Sequence, residues 1–198
     1  AYNTKFVRRE ELPKTIEDFI ARKEWKGRVA IDSAEFHWLR ALVLHFGESK
    51  GRKLAKDFFD ALDPVVIDGH LALARAISAG EYWVTPSNFI ALTSNQMITG
   101  APTDYWGIEP MSVFFSQVAV SAQAPHPNAG ELAGNFLLSR EAHSFLARMG
   151  RVPTRRDVPP NPPDAVQKLG NVTIIPLEFG PDEERYWQRE FQALVRPR

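Results

Sequence analysis

"VVIDGHLALARAISAGEYWVTPSNFIALTSNQ", residues 65–96, decides how the chain folds. Val65 to Ile67 is a short apolar run between Pro64 and Asp68-Gly69, with the length and β-branched content of a strand. Leu71 to Ser78 follows with helical texture, and Gly80 suits the left-handed turn that closes a helix. The apolar "YWV" at 82–84 then runs into Thr85-Pro86-Ser87-Asn88 and a second helical stretch. Thr85 is placed to be the N-cap of that helix, with Pro86 at the first helical position, where its missing N–H costs nothing. Strand, junction and helix in succession, repeated, indicate an α/β chain with a largely parallel sheet and helices on its faces.

The same unit is legible upstream. Val29 to Ile31 reads as a strand, Asp32-Ser33 as its junction, and a helix is expected from about Ser33, with Leu39, Leu42, Val43 and Phe46 at helical spacing. Gly47 ends it, and Ser49 is expected to cap a helix through residue 62. Residues 1–7 read as a short strand, and Thr15 with Asp18 has the spacing of a capping box behind Pro13. Beyond residue 100 the texture changes. Residues 101–128 form a long strand-like stretch, followed by helices over 128–139 and 140–150, the second stopped by Gly150. The proline-dense 151–165 is extended, 171–177 reads as a strand, and 181–195 as an amphipathic helix.

Composition narrows the function classes. Of 198 residues, 44% are hydrophobic and 24% charged, which supports a core of ordinary size in one domain or two small lobes. Lys plus Arg and Asp plus Glu are each 24, so a broad electrostatic footprint for nucleic acid is not expected. With no cysteine, disulfides, thiol nucleophiles and thiolate zinc sites are excluded. No run approaches the roughly 18 apolar residues of a membrane span.

The three strand-to-helix junctions, Asp32-Ser33, Asp68-Gly69 and Thr85-Pro86-Ser87-Asn88, are the informative constellation. In a parallel sheet, ligands sit outside the carboxyl ends of the strands, where helix N-termini offer unpaired N–H groups. Ser33, Asp68, Gly69, Thr85, Ser87 and Asn88 are the candidate ligand-binding residues: hydroxyls and an amide to hydrogen-bond, and a glycine to admit a ligand to the backbone. The same residue types cap helices without binding anything, and at any one junction that reading competes. Asp32 and Asp68 would suit a cation or an amine better than an anion, so the charge of a ligand stays open.

Other candidates fare worse. His37 and His45 stand eight residues apart, too far for a paired helical zinc site, and read as half-buried polar residues. Trp38, Trp83 and Trp106 read as core. "RRE" at 8–10 and "TRR" at 154–156 are short solvated clusters. With no GxSxG, P-loop, HExxH or GxGxxG, the chain shows no catalytic residue, no metal ligand set and no cofactor motif.

"AYNTK" (1–5), P-x-T-x-x-D-F (13–19), "WKGRVAID" (25–32), "SAGEY" (78–82), "APHPNA" (124–129), "FLLSREA" (136–142) and "GRVPTR" (150–155) occur in an order that resembles bacterial extracellular solute-binding proteins. The resemblance is to the family that includes the ferric-iron, thiamine and aminoethylphosphonate receptors of ABC transporters. It implies a type II periplasmic-binding-protein fold: one mostly complete α/β lobe over 3–104 and part of another over 105–198, joined by hinge strands at Tyr2 and Asn3. The N-terminal half of the first lobe would be absent, which would expose apolar surface and favour self-association. It further implies a periplasmic receptor, not an enzyme, that carries a small polar or anionic solute in an inter-lobe cleft to an ABC permease in the inner membrane.

The iron-binding members carry an adjacent tyrosine pair after the "GE" strand. Here that place reads "TPSNF", and Tyr2 and Tyr82 do not restore the pair. Ferric iron on those ligands is therefore not expected. Ser87 and Asn88 point to an organic or oxyanion solute held by neutral hydrogen bonds. Two alternatives share the fold: a ligand-sensing effector domain, and an enzyme using a cleft Asp or His.

Overall fold

A computed structural model describes residues 1–195, and its central sheet is assembled around Val84. The strands are β1 (Tyr2–Asn3), β2 (Ala30–Asp32), β3 (Val65–Ile67), β4 (Thr103–Asp104), β5 (Met111–Val113) and β6 (Ile174–Pro176). β2 and β3 pair in parallel, Asp32 opposite Ile67. Val84, fully buried, bridges in parallel to Val29 and antiparallel to Tyr2. β1 pairs antiparallel with β4, Tyr2 opposite Asp104. The order across this mixed sheet is therefore β3, β2, the Val84 segment, β1, β4. β5 and β6 form a separate parallel pair.

The helices are α1 (Ile16–Ala21), α2 (Phe36–Phe46), α3 (Glu48–Leu62), α4 (His70–Ala79), α5 (Ile90–Ile98), α6 (Pro127–Leu137), α7 (Arg140–Arg148) and α8 (Pro181–Val195). Leu39, Leu42 and Val43 of α2 meet Leu54, Phe58 and Leu62 of α3 in a core that also takes in Phe19, Trp25 and Trp38. α8 adds Trp187 and Phe191 to it. Gly51 lies where α3 presses on α2: a β-carbon there would stand 2.6 Å from the Val43 Cα. On the other face, Leu73 and Ile77 of α4 pack on Ala30. Trp38 is buried and Trp83 and Trp106 are half-buried against the core, as expected of structural aromatics.

Several local expectations give way to backbone geometry. α2 begins at Phe36, not Ser33, because Asp32 Oδ1 accepts a hydrogen bond from the Ala34 N–H at 2.8 Å and turns the chain first. Ser49 caps nothing: Gly47, at φ 84°, ends α2 and directly precedes α3. Thr85 is not an N-cap. α5 starts at Ile90, preceded by Phe89, while the Thr85 hydroxyl donates to the Ser87 carbonyl at 2.9 Å and keeps residues 85–89 as a loop. The strand at 1–7 is two residues long, because Phe6 and Val7 N–H groups both turn back onto the Asn3 carbonyl. The long strand-like stretch resolves into β4, β5 and an irregular segment over 114–126. Thr15 does cap α1, accepting from the Asp18 N–H at 3.1 Å. No residue of α6 is buried, and Leu132 on it is 73% exposed. Among the described residues no helix is long and apolar enough to cross a membrane.

Candidate functional site

β2, β3 and the Val84 segment end side by side, and the residues just beyond each end converge. Asp32 closes β2 and is 1% exposed; Glu35, immediately before α2, is 3% exposed. Gly69, at φ 99°, turns the chain out of β3 so that His70 opens α4 facing both carboxylates. His70 Nδ1 stands 3.7 Å from Asp32 Oδ2 and 3.6 Å from Glu35 Oε2. Both separations exceed a hydrogen bond. The loop after Val84 supplies Ser87, whose hydroxyl donates to Glu35 Oε1 at 2.9 Å, and Asn88, whose Oδ1 accepts from the Phe89 N–H at 2.8 Å.

The result is a concentration of unsatisfied polarity. Asp32 Oδ2, Glu35 Oε2, His70 Nδ1 and Asn88 Nδ2 are all buried without a hydrogen-bond partner. Buried polar atoms are ordinarily paired, because each orphan costs about 1–3 kcal/mol. Burial raises the Glu35 carboxyl to about 7; the Ser87 hydroxyl opposes this and the neighbouring Asp32 charge adds to it. Burial, with the nearby His70, lowers the His37 imidazole to about 4. Burial also lowers His70, against the pull of Asp32 and of its contact with Asn88.

Around these groups runs a partial ring of aromatic side chains. The His70 and Phe89 ring centroids are 4.3 Å apart, Phe89 and Phe114 6.4 Å, and Phe114 and His37 4.2 Å. Phe89 and Phe114 are 42% and 37% exposed, so the rim reaches solvent. Among the described residues, no Lys or Arg forms an ion pair with Asp32, Glu35 or Asp68. Nor is any group of three His, Cys, Asp or Glu side chains arranged to hold a metal ion.

The residues singled out in the sequence divide between two roles. Ser33 and Asp68 are brought together from separate junctions, Oγ donating to Oδ1 at 2.8 Å. Gly69 has open space where a β-carbon would stand. Ser87 and Asn88 border the buried cluster, but Thr85 is fully buried with its hydroxyl engaged on the Ser87 carbonyl. Asn3, paired through β1, donates to the Ile77 and Ser78 carbonyls at 2.8 and 3.2 Å, tying the sheet to α4; Tyr2 is buried beside it. Sequence reasoning passed over Glu35, His70, Phe89 and Phe114 and left Asp32 between a capping role and a carboxylate beside the ligand. A carboxylate and an imidazole within three residues of two strand ends was the available signal for Glu35 and His70.

A family model described as bacterial extracellular solute-binding protein matches residues 1–175. No curated protein matches the chain. Among solved structures, iron-bound HitA from Pseudomonas aeruginosa is 17% identical, with a TM-score of 0.67, over 96% of this chain and 65% of that one. The substrate binding protein of the ABC transporter from Agrobacterium tumefaciens is 15% identical, with a TM-score of 0.67, over 99% and 64%. The Bordetella ferric binding protein is 20% identical, with a TM-score of 0.59, over 98% and 65%. The chain thus spans slightly less than two thirds of the length of these structures, and the likeness is one of fold. That fold is the α/β type II periplasmic-binding architecture.

Proposed function

The chain belongs to the bacterial extracellular solute-binding family, and from that premise we propose that it is the solute-binding component of an ABC importer. A small polar solute binds beyond the carboxyl ends of β2, β3 and the Val84 segment and is delivered to a membrane permease. The observation that carries this reading is the convergence of three chain segments on orphaned polar atoms at those strand ends. Ser33, Asp68, Gly69, Ser87 and Asn88 line the approach, and the solute lies in a cleft between a lobe at 3–104 and the chain from 105 onward. Tyr2 and Asn3 of β1, paired with β4, form the hinge, and the solute favours closure by binding the closed state better. The receptor works in the periplasm by reversible binding, without turnover.

Of the polar and anionic solutes expected, the polar one is favoured, because among the described residues no Lys or Arg pairs with Asp32, Glu35 or Asp68 to offset their negative charge toward an anion. Ferric iron is disfavoured, since "TPSNF" lacks the tyrosine pair of the iron receptors. Native mass spectrometry of the purified chain tests the reading. A reproducible small-molecule adduct, lost in Ser87→Ala or Asn88→Ala, supports it. A chain that flies bare and shows no heat with any solute class refutes it.

A further inference from the structure

Resting on the solute-binding reading, we propose that the solute is an organic cation, its positive group seated against Asp32 and Glu35 inside the ring of His37, Phe89, Phe114 and His70. Three separate observations meet here. Asp32 Oδ2 and Glu35 Oε2 are acceptor atoms on almost fully buried side chains and lack any donor. Among the described residues the one basic side chain within ion-pair reach of either is His70, held just beyond hydrogen-bond distance and disfavoured as a cation by its burial. Phe89 and Phe114 stand at the rim with ring centroids 6.4 Å apart, one against His70 and the other against His37, and phenyl faces attract ammonium and guanidinium groups through their negative quadrupoles.

Among the described residues no group of three His, Cys, Asp or Glu side chains is arranged to hold a metal ion. A substituted ammonium needs only acceptor oxygens and aromatic contact, and this site offers both. The groups facing Glu35 are Asp32 from β2, His70 from α4, and Ser87 and Asn88 from the loop, with His37 two residues on in α2 and Asp68 at the neighbouring junction. A bound cation keeps Glu35 ionised, so binding releases its proton and strengthens as pH rises through about 7.

Calorimetric titration of the chain with choline, putrescine and L-arginine, set against inorganic phosphate, citrate and glucose, decides the matter. The expected result is binding of at least one cation, weakened about tenfold, the equivalent of about 1.4 kcal/mol, in Glu35→Gln and in Phe114→Ala. Phe114 is partly exposed, so its variant retains the fold if Glu35→Gln does not. Binding of phosphate, citrate or glucose without any cation overturns the charge assignment and leaves the receptor reading standing. Silence with every probe, together with a bare chain in native mass spectrometry, overturns both.

Discussion

His70 Nδ1 lies 3.6 Å from Glu35 Oε2, and neither atom has a hydrogen-bond partner. Two segments 35 residues apart in sequence thus bury an acid and a base in each other's field without completing a bond between them. Their protonation is consequently tied to folding.

The Glu35 carboxyl is raised from 4.5 to about 7, so between those values the folded chain holds a proton that the unfolded chain has released. Its contribution to stability is fully present below pH 4.5 and is lost as pH rises through about 7. His37, lowered from 6.5 to about 4, acts oppositely, adding stability as pH rises across that interval. The two offset each other below pH 6.5, and the Glu35 loss stands alone above it. In Glu35→Gln the loss disappears, so the melting temperature of the variant gains on that of the parent from pH 5 to pH 8. Parallel melting curves across that range would sink the assignment.

Ser87→Ala removes the hydrogen bond that partly holds Glu35 down. The carboxyl then titrates at still higher pH, and the fold loses about 1 kcal/mol. Carbon-13 NMR of the labelled glutamate side chain reads the first effect, and urea unfolding the second. An unmoved titration would mean that Ser87 does not engage Glu35 in solution.

Gly51→Ala places a β-carbon within 2.6–2.7 Å of the Val43 Cα and the Leu42 carbonyl group, all backbone atoms that cannot rotate away. α2 and α3 must separate, at a cost of about 1–3 kcal/mol. Because α2 begins beside Glu35, the same variant should weaken solute binding as well as lower the urea midpoint. A variant as stable as the parent would show that the helices do not touch there.

Phe191→Ala opens a cavity under α8 and should cost about 3–5 kcal/mol. Leu132→Ala, on the exposed α6, should stay within about 0.5 kcal/mol of the parent. Equal losses at the two positions would contradict the placement of α8 in the core.

Legibility in the sequence followed the range of the interactions involved. β3, the helix ending at Gly80 and the cap at Thr15 were readable because each depends on a few neighbouring residues: an apolar run, a left-handed glycine, a hydroxyl three residues before an amide. Thr85 misled for the same reason. Its local signal for a cap is real, but its hydroxyl is taken by the Ser87 carbonyl and the helix starts five residues later.

By itself, the sequence determined the α/β alternation, the strand ends as the place to look, and the absence of thiol chemistry, since these rest on periodicity and composition. Only the tertiary structure decided which polar residues share that place. Ser33 meets Asp68, Ser87 meets Glu35, and His70 faces Asp32, each across tens of residues. Burial then did what no local pattern encodes: it stripped water from Glu35 and His70, raised the proton affinity of the first and lowered that of the second, and left buried acceptor atoms without donors.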